Sequence, residues 1–174
     1  MRPTAGELLH FSEDPTIRSF DPHVAATARQ PDAYVWAVDA EQAPAYWFPR
    51  QCPRAMAWSV ASTTVEDRLS VLGPSASRVH MIEYGWLGRM QSTQVYAYRF
   101  AVESFRRLGD AAWVTSQPVQ PLGEAEPIGN LLALHEEAGI ELRLADDLGP
   151  WWRAVIASTV GFSGIRLRNA RAPL

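Results

Sequence analysis

Few residues in this 174-residue chain have the types and spacing that chemistry needs. There are four histidines, His10, His23, His80 and His135, and none lies in an HExxH or related ligand pattern. His80 and Glu83 stand three apart, which suits one face of a helix, but RVHMIEY reads as a strand, where they point to opposite sides. No bound metal is expected from these spacings. Cys52 lies in RQCPR between Arg50 and Arg54, which would lower a thiol pKa. No nucleophile signature surrounds it, and the residue reads as a small packing side chain. A GxSxG elbow and a P-loop are both absent.

Two polar signals sit on strands. In RVHMIEY, Val79, Met81 and Glu83 share one face, so Glu83 is either at an exposed strand end or partly buried. A buried carboxylate must be paired, hydrogen-bonded or shifted in pKa, as catalytic carboxylates often are. In LLHFSEDP, His10 and Ser12 share a face with Leu8. One reading makes His10 a satisfied core histidine and Ser12 a cap on the turn that follows. The other makes them a polar pair facing a cleft. A third signal is PAYWFPRQCPR, where Tyr46, Trp47 and Phe48 precede Arg50 and Arg54. That order could stack a nucleobase and hold a phosphate, and a short helix pinning three aromatics into a core would look the same. Arg166, Arg168 and Arg171 read as a solvated tail.

The elements that must position these residues are short. Leu8 to Ser12, Tyr34 to Asp39, Ala55 to Val60, Arg78 to Tyr84, Val95 to Phe100, Ala112 to Ser116 and Ile140 to Leu144 read as strands from their β-branched and aromatic content. Asp14-Pro15 predicts a capped helical turn carrying Ile17 and Phe20. A short helix ending by Pro49 follows the second strand. Thr63-x-x-Glu66 is a capping-box pattern for a helix through Leu72, ended by Gly73-Pro74. GWLGRMQST fits helix or turn. Pro127 to Ala138 predicts a helix with Ile128, Leu131, Leu132 and His135 on one stripe, and Gly139 stops it. Pro150 to Thr159 predicts another, and the tail adds a last strand. Many short strands with a few helices make an α+β domain of mostly antiparallel strands rather than regular βαβ winding. A single domain over 1–174 is expected, with short flexible ends near 1–6 and 169–174.

Composition bounds the rest. An apolar fraction of 47% and a charged fraction of 20% are those of a folded globular chain. The net charge of −3 gives no general pull on nucleic acid or acidic membranes. All 16 basic residues are arginine, so no lysine can act as nucleophile, Schiff base or phosphate clamp. One cysteine excludes an intrachain disulfide. The start lacks the apolar run of a signal peptide, and no stretch approaches membrane-spanning length, so a cytoplasmic soluble protein with no membrane partner is expected.

The blocks LLHFSEDPTIRSFDP, YVWAVDAEQAPAYWFPRQCPR, HEEAGIELR and FSGIRLRNA together resemble an uncharacterised bacterial family of small proteins of about this length. More distantly, the strand with H-x-S, the proline-rich loop and the aromatic strand followed by a short helix resemble the first half of ADP-ribosyltransferase-like domains. That resemblance implies NAD as cofactor, with His10 and Ser12 holding its ribose and nicotinamide. Tyr34 or Tyr46 would supply the stacking ring, and Glu83 the carboxylate that polarises the ribose, with Glu141 a weaker candidate. From the aromatic–arginine block rather than from this resemblance, Arg50 is a further candidate cofactor contact. Phe11 stands where that family usually has a small residue between His and Ser/Thr. The implied function is nucleotide binding, of NAD or ADP-ribose, with ADP-ribose transfer as the enzymatic form. The competing readings are a non-catalytic nucleotide or RNA-end binding module and an interaction domain with no small ligand.

Overall fold

The structure, a computed structural model, describes residues 1–24, 32–109 and 112–172. Its strands are β1 (Glu7–Ser12), β2 (Val35–Ala37), β3 (Arg54–Trp58), β4 (Arg78–Glu83), β5 (Tyr96–Ala101), β6 (Arg106–Leu108), β7 (Ala112–Thr115), β8 (Glu126–Pro127), β9 (Glu141–Ala145) and β10 (Gly161–Ile165). The helices are α1 (Val65–Asp67), α2 (Leu87–Ser92), α3 (Leu131–Glu137) and α4 (Gly149–Ile156), with short 3-10 and π turns between them. The strands form three open sheets, ordered β1-β5-β8, β10-β3-β4-β9 and β2-β7-β6. All named pairs are antiparallel except β4 with β9. The expected α+β class with mostly antiparallel strands is the fold observed. Backbone contacts divide the chain into two compact units, residues 1–47 with 94–129 and residues 48–93 with 130–174. Leu174 and Pro173, at the end of the tail expected to be flexible, lie outside the described residues.

In the first unit β1 pairs with β5 so that Leu8 faces Phe100, His10 faces Tyr98 and Ser12 faces Tyr96. The alternation read from LLHFS places Leu8 in a core with Phe20, Val35, Ala37, Tyr98, Phe100 and Phe105. Phe20 meets the Tyr98 and Phe100 rings edge-on at 5.0 and 5.2 Å. Each buried leucine, valine or phenylalanine here stabilises the unit by roughly 1.5–3 kcal/mol relative to exposure. A single bridge between Leu9 and Val38 ties β1 to the chain just past β2.

The helical turn expected at Asp14-Pro15 is absent. The Ser12 hydroxyl accepts the Asp14 N–H at 3.1 Å, and Asp14 Oδ1 accepts the N–H and O–H of Thr16 at 2.8 and 2.7 Å. The Tyr98 hydroxyl donates to the Asp14 carbonyl at 2.6 Å and accepts the Ile17 N–H at 3.1 Å. These side chains satisfy the backbone groups that a helical turn would have paired internally.

In the second unit β4 lies between β3 and β9, with His80 opposite Met56 on β3 and Leu142 on β9. The core gathers Ala57, Val71, Leu72, Ala76, Val79, Val155 and Val160 beneath Trp151 and Trp152. Gly164 on β10 has no room for a side chain, because Trp152 and Leu167 occupy that space. The helix cap expected at Thr63 sits one residue later. Thr64 Oγ1 accepts the Asp67 N–H at 3.1 Å, and the Asp67 carboxylate turns to the N–H and O–H of Thr159 at 2.8 and 2.6 Å. The helix expected from Pro127 begins only at Leu131. Gly129 takes φ 85°, which sets the chain for a cap, and Asn130 Oδ1 accepts the N–H groups of Leu132 and Ala133 at 2.9 and 3.1 Å. Pro127 instead ends the short strand β8. The segment that fitted helix or turn is helix, α2.

Candidate functional site

His10 is half-buried on β1. Its Nδ1 lies 2.8 Å from the Trp36 carbonyl, and because a carbonyl can only accept, Nδ1 carries the proton. The ring also packs on Phe20, with centroids 4.9 Å apart. Ser12 is buried and serves the Asp14 turn. Tyr34 is buried just before β2 and meets the Trp36 ring edge-on at 6.1 Å. Its hydroxyl accepts from Arg106 at 2.8 Å, and the Arg106 guanidinium lies over the Tyr34 ring at 5.3 Å. The Trp36 indole N–H is buried and has no hydrogen-bond partner among the described residues. Tyr46 is on the other side of β1, stacked on Phe11 with centroids 6.2 Å apart and planes within 6°.

His10 thus bonds the Trp36 backbone carbonyl, Tyr34 meets the Trp36 ring, and Tyr46 stacks on Phe11. Sequence reasoning missed Trp36 and Arg106, for which the only signal was their place in aromatic and arginine-bearing strands. A shallow cleft of about 490 Å³ elsewhere in this unit is lined by Arg99, Glu124 and Glu126. Arg99 is neutralised there by Glu126 and Glu7, each at 2.7 Å.

Glu83 and Arg50 belong to the second unit, Arg50 in an exposed turn. Glu83 ends β4 buried, and both carboxylate oxygens accept the Arg171 N–H, at 2.9 and 3.1 Å. Of the two positions the sequence allowed, the buried, hydrogen-bonded one is observed. The partner is tail backbone, and Asn169 anchors the same tail by donating its amide to the Gln51 carbonyl at 2.8 Å. Cys52 is fully buried. Burial pushes its thiol up to about 12, Arg54 pulls the other way, and Glu83 adds to the rise. At neutral pH such a thiol is protonated and inert, as its packing reading required.

The densest arrangement of titratable groups in the second unit is one that sequence reasoning did not assemble. His80 on β4 and His135 on α3 are both fully buried, with His80 Nδ1 and His135 Nε2 3.0 Å apart. Arg78 Nε donates to His80 Nε2 at 2.9 Å, and His135 Nδ1 lies 2.7 Å from the Leu131 carbonyl. The Phe48 ring packs on both imidazoles, at 5.6 and 4.8 Å between centroids. Desolvation holds both histidines below their ordinary pKa, His135 at about 4. Lesser contributions come from the like charges of Arg78 and Arg54, with His135 itself adding to the effect on His80. Among the described residues no group of three or more His, Cys, Asp or Glu is placed to hold a metal ion. No helix of the described residues is long and apolar enough to cross a membrane.

An α+β chain of this architecture falls in a class that its fold alone gives no activity. Residues 9–170 match the family of unknown function DUF6886, and the chain belongs to that family. Neither a curated protein nor a solved structure matches it.

Proposed function

We propose that the first unit binds a dinucleotide, NAD or its ADP-ribose portion, at the β1–β2 junction. The observation that carries this reading is the pinned ring of His10. Its Nδ1–H is committed to the Trp36 carbonyl, so in the neutral ring Nε2 is an acceptor, the role that recognition of a ribose hydroxyl requires. Ser12 shapes the turn beside it, the half-buried Trp36 offers aromatic surface, and the exposed Arg106 offers the cation that a diphosphate needs in a chain without lysine. The buried Trp36 N–H is a donor whose hydrogen bond a ligand would complete. The likeness of H-x-S to ADP-ribosyltransferase-like domains supports the same ligand class.

Binding without transfer is the form of this reading that the second unit favours. Transfer of ADP-ribose calls for a carboxylate at the ribose, and Glu83 is buried in the second unit, where it accepts the Arg171 N–H. The test is calorimetric titration of the folded protein with NAD and with ADP-ribose, alongside His10→Ala. Saturable binding by wild type, weakened about tenfold or more in a folded His10→Ala, is the expected result for loss of one such polar contact. No binding by folded wild type overturns the nucleotide reading and leaves an interaction domain. Glu83→Gln then separates the two forms, since a binder keeps its affinity and a transferase loses turnover.

A further inference from the structure

The buried histidines of the second unit admit only one arrangement of protons. The Leu131 carbonyl can only accept, so His135 Nδ1 is the donor and, in the neutral ring, His135 Nε2 is the acceptor. His80 Nδ1 must then donate to it, which leaves His80 Nε2 to accept from Arg78 Nε–H. Arginine keeps its proton at every physiological pH, so the order cannot be reversed from that end. All four imidazole nitrogens are thereby committed with both rings neutral.

An added proton has no place in this chain. On His135 Nε2 it would face the His80 Nδ1–H, and on His80 Nε2 it would face the Arg78 Nε–H. Either collision removes a hydrogen bond in a site without water-like exposure. The surroundings do not offset the new charge. Arg78 comes from β4 itself and Arg54 from β3, both positive, and the Arg54 guanidinium sits over the Phe48 ring at 5.0 Å. Beside His80 in register, β3 and β9 present the neutral Met56 and Leu142. The acidic residues that follow His135 on α3, Glu136 and Glu137, are exposed.

We propose that the Arg78–His80–His135–Leu131 chain is an acid-sensitive latch that holds α3 on the sheet at neutral pH and releases it when either imidazole takes a proton. α3 is a short helix, and the latch is its polar tie to β4. The sign follows from the histidines resisting protonation in the folded state. For His135 that stability is complete above about 6.5 and falls as pH drops through the window to about 4; His80, also held well below its ordinary value by burial, adds a loss of the same sign. At pH 5, His135 alone raises the opening equilibrium about thirtyfold over its value at pH 8.

The experiment is hydrogen exchange of the full chain at pH 7.5 and 5.0, with rates expressed as protection factors so that intrinsic exchange cancels. The amides to follow are Leu134 and Ala138, which close the turns of α3, with β1 and β5 as internal reference. Protection in α3 is expected to fall about thirtyfold or more while the reference strands change little. His135→Gln can accept from His80 and donate to Leu131 yet cannot take a proton, so it should flatten most of the pH dependence. An α3 whose protection is the same at both pH values overturns the latch. So does an equal fall in β1 and β5, or an undiminished fall in His135→Gln. Should that variant not fold, imidazole nitrogen spectra of wild type decide the matter. Both rings should remain neutral Nδ1–H tautomers at pH 5.5, and a ring that titrates near 6.5 overturns the proposal.

Discussion

His10 in the first unit and the His80–His135 pair in the second show two ways in which a folded chain can use an imidazole. His10 is half-buried, with Nδ1 tied to backbone and the ring leaning on Phe20. His80 and His135 are sealed, and their nitrogens form one directional chain from Arg78 to Leu131. A tie to backbone orients a half-buried ring. Fixing every nitrogen of a sealed pair gives rigidity and a dependence on pH. Burial decides between the two, because only a desolvated imidazole makes an added proton costly.

Removing His80 should separate the regions most. His80→Ala leaves the His135 Nε2 and the Arg78 Nε–H facing a cavity inside the sheet, and we expect a loss of about 3 kcal/mol from the two orphaned groups and the void. Urea unfolding followed by tryptophan fluorescence measures it. A loss under about 1 kcal/mol would mean that the chain is not a tight structural element, and the contrast with His10 would collapse.

The tail contact of Glu83 comes next. Glu83→Ala deletes a buried carboxylate that accepts the Arg171 N–H, a charge-assisted bond whose loss should cost about 2 kcal/mol. Proteolysis near Asn169 should accelerate with it, since the tail loses one of its anchors. If stability is unchanged while nucleotide turnover disappears, Glu83 is a chemical residue and the assignment of binding without transfer must be reversed.

Much of this was legible in the chain, and the remainder was illegible for physical reasons. The alternation in LLHFS placed Leu8 in the core and His10 and Ser12 beside it, because a two-residue period is fixed by strand geometry. The α+β class followed from short strands and scattered prolines. The start of α3 did not, since Ile128 continues the apolar stripe in phase and the break depends on Gly129 and the Asn130 cap. His135 stood visibly on an apolar stripe, but its partner is 55 positions away and no local pattern couples β4 to α3. Glu83 was read as buried or at an edge without its partner, because a backbone N–H from a tail leaves no side-chain signature.

Ser12 offers the smallest effect and the sharpest test of the polar pair on β1. Its hydroxyl accepts the Asp14 N–H in a buried position, opposite Tyr96. Ser12→Ala keeps the volume of the strand residue nearly constant and leaves that N–H unpaired, so about 1 kcal/mol of stability should be lost. The turn is also held by the Tyr98 hydroxyl on the Asp14 carbonyl and by Asp14 on Thr16, so it should persist without the serine. A variant that loses only this much and binds NAD as wild type does would assign the serine to the turn and leave His10 as the ligand contact from β1. A variant that keeps its stability and loses binding would place the hydroxyl on the ligand. The two polar residues of H-x-S would then act together, and the first unit would differ from the second by having a histidine whose partner side chain is reserved for something outside the fold.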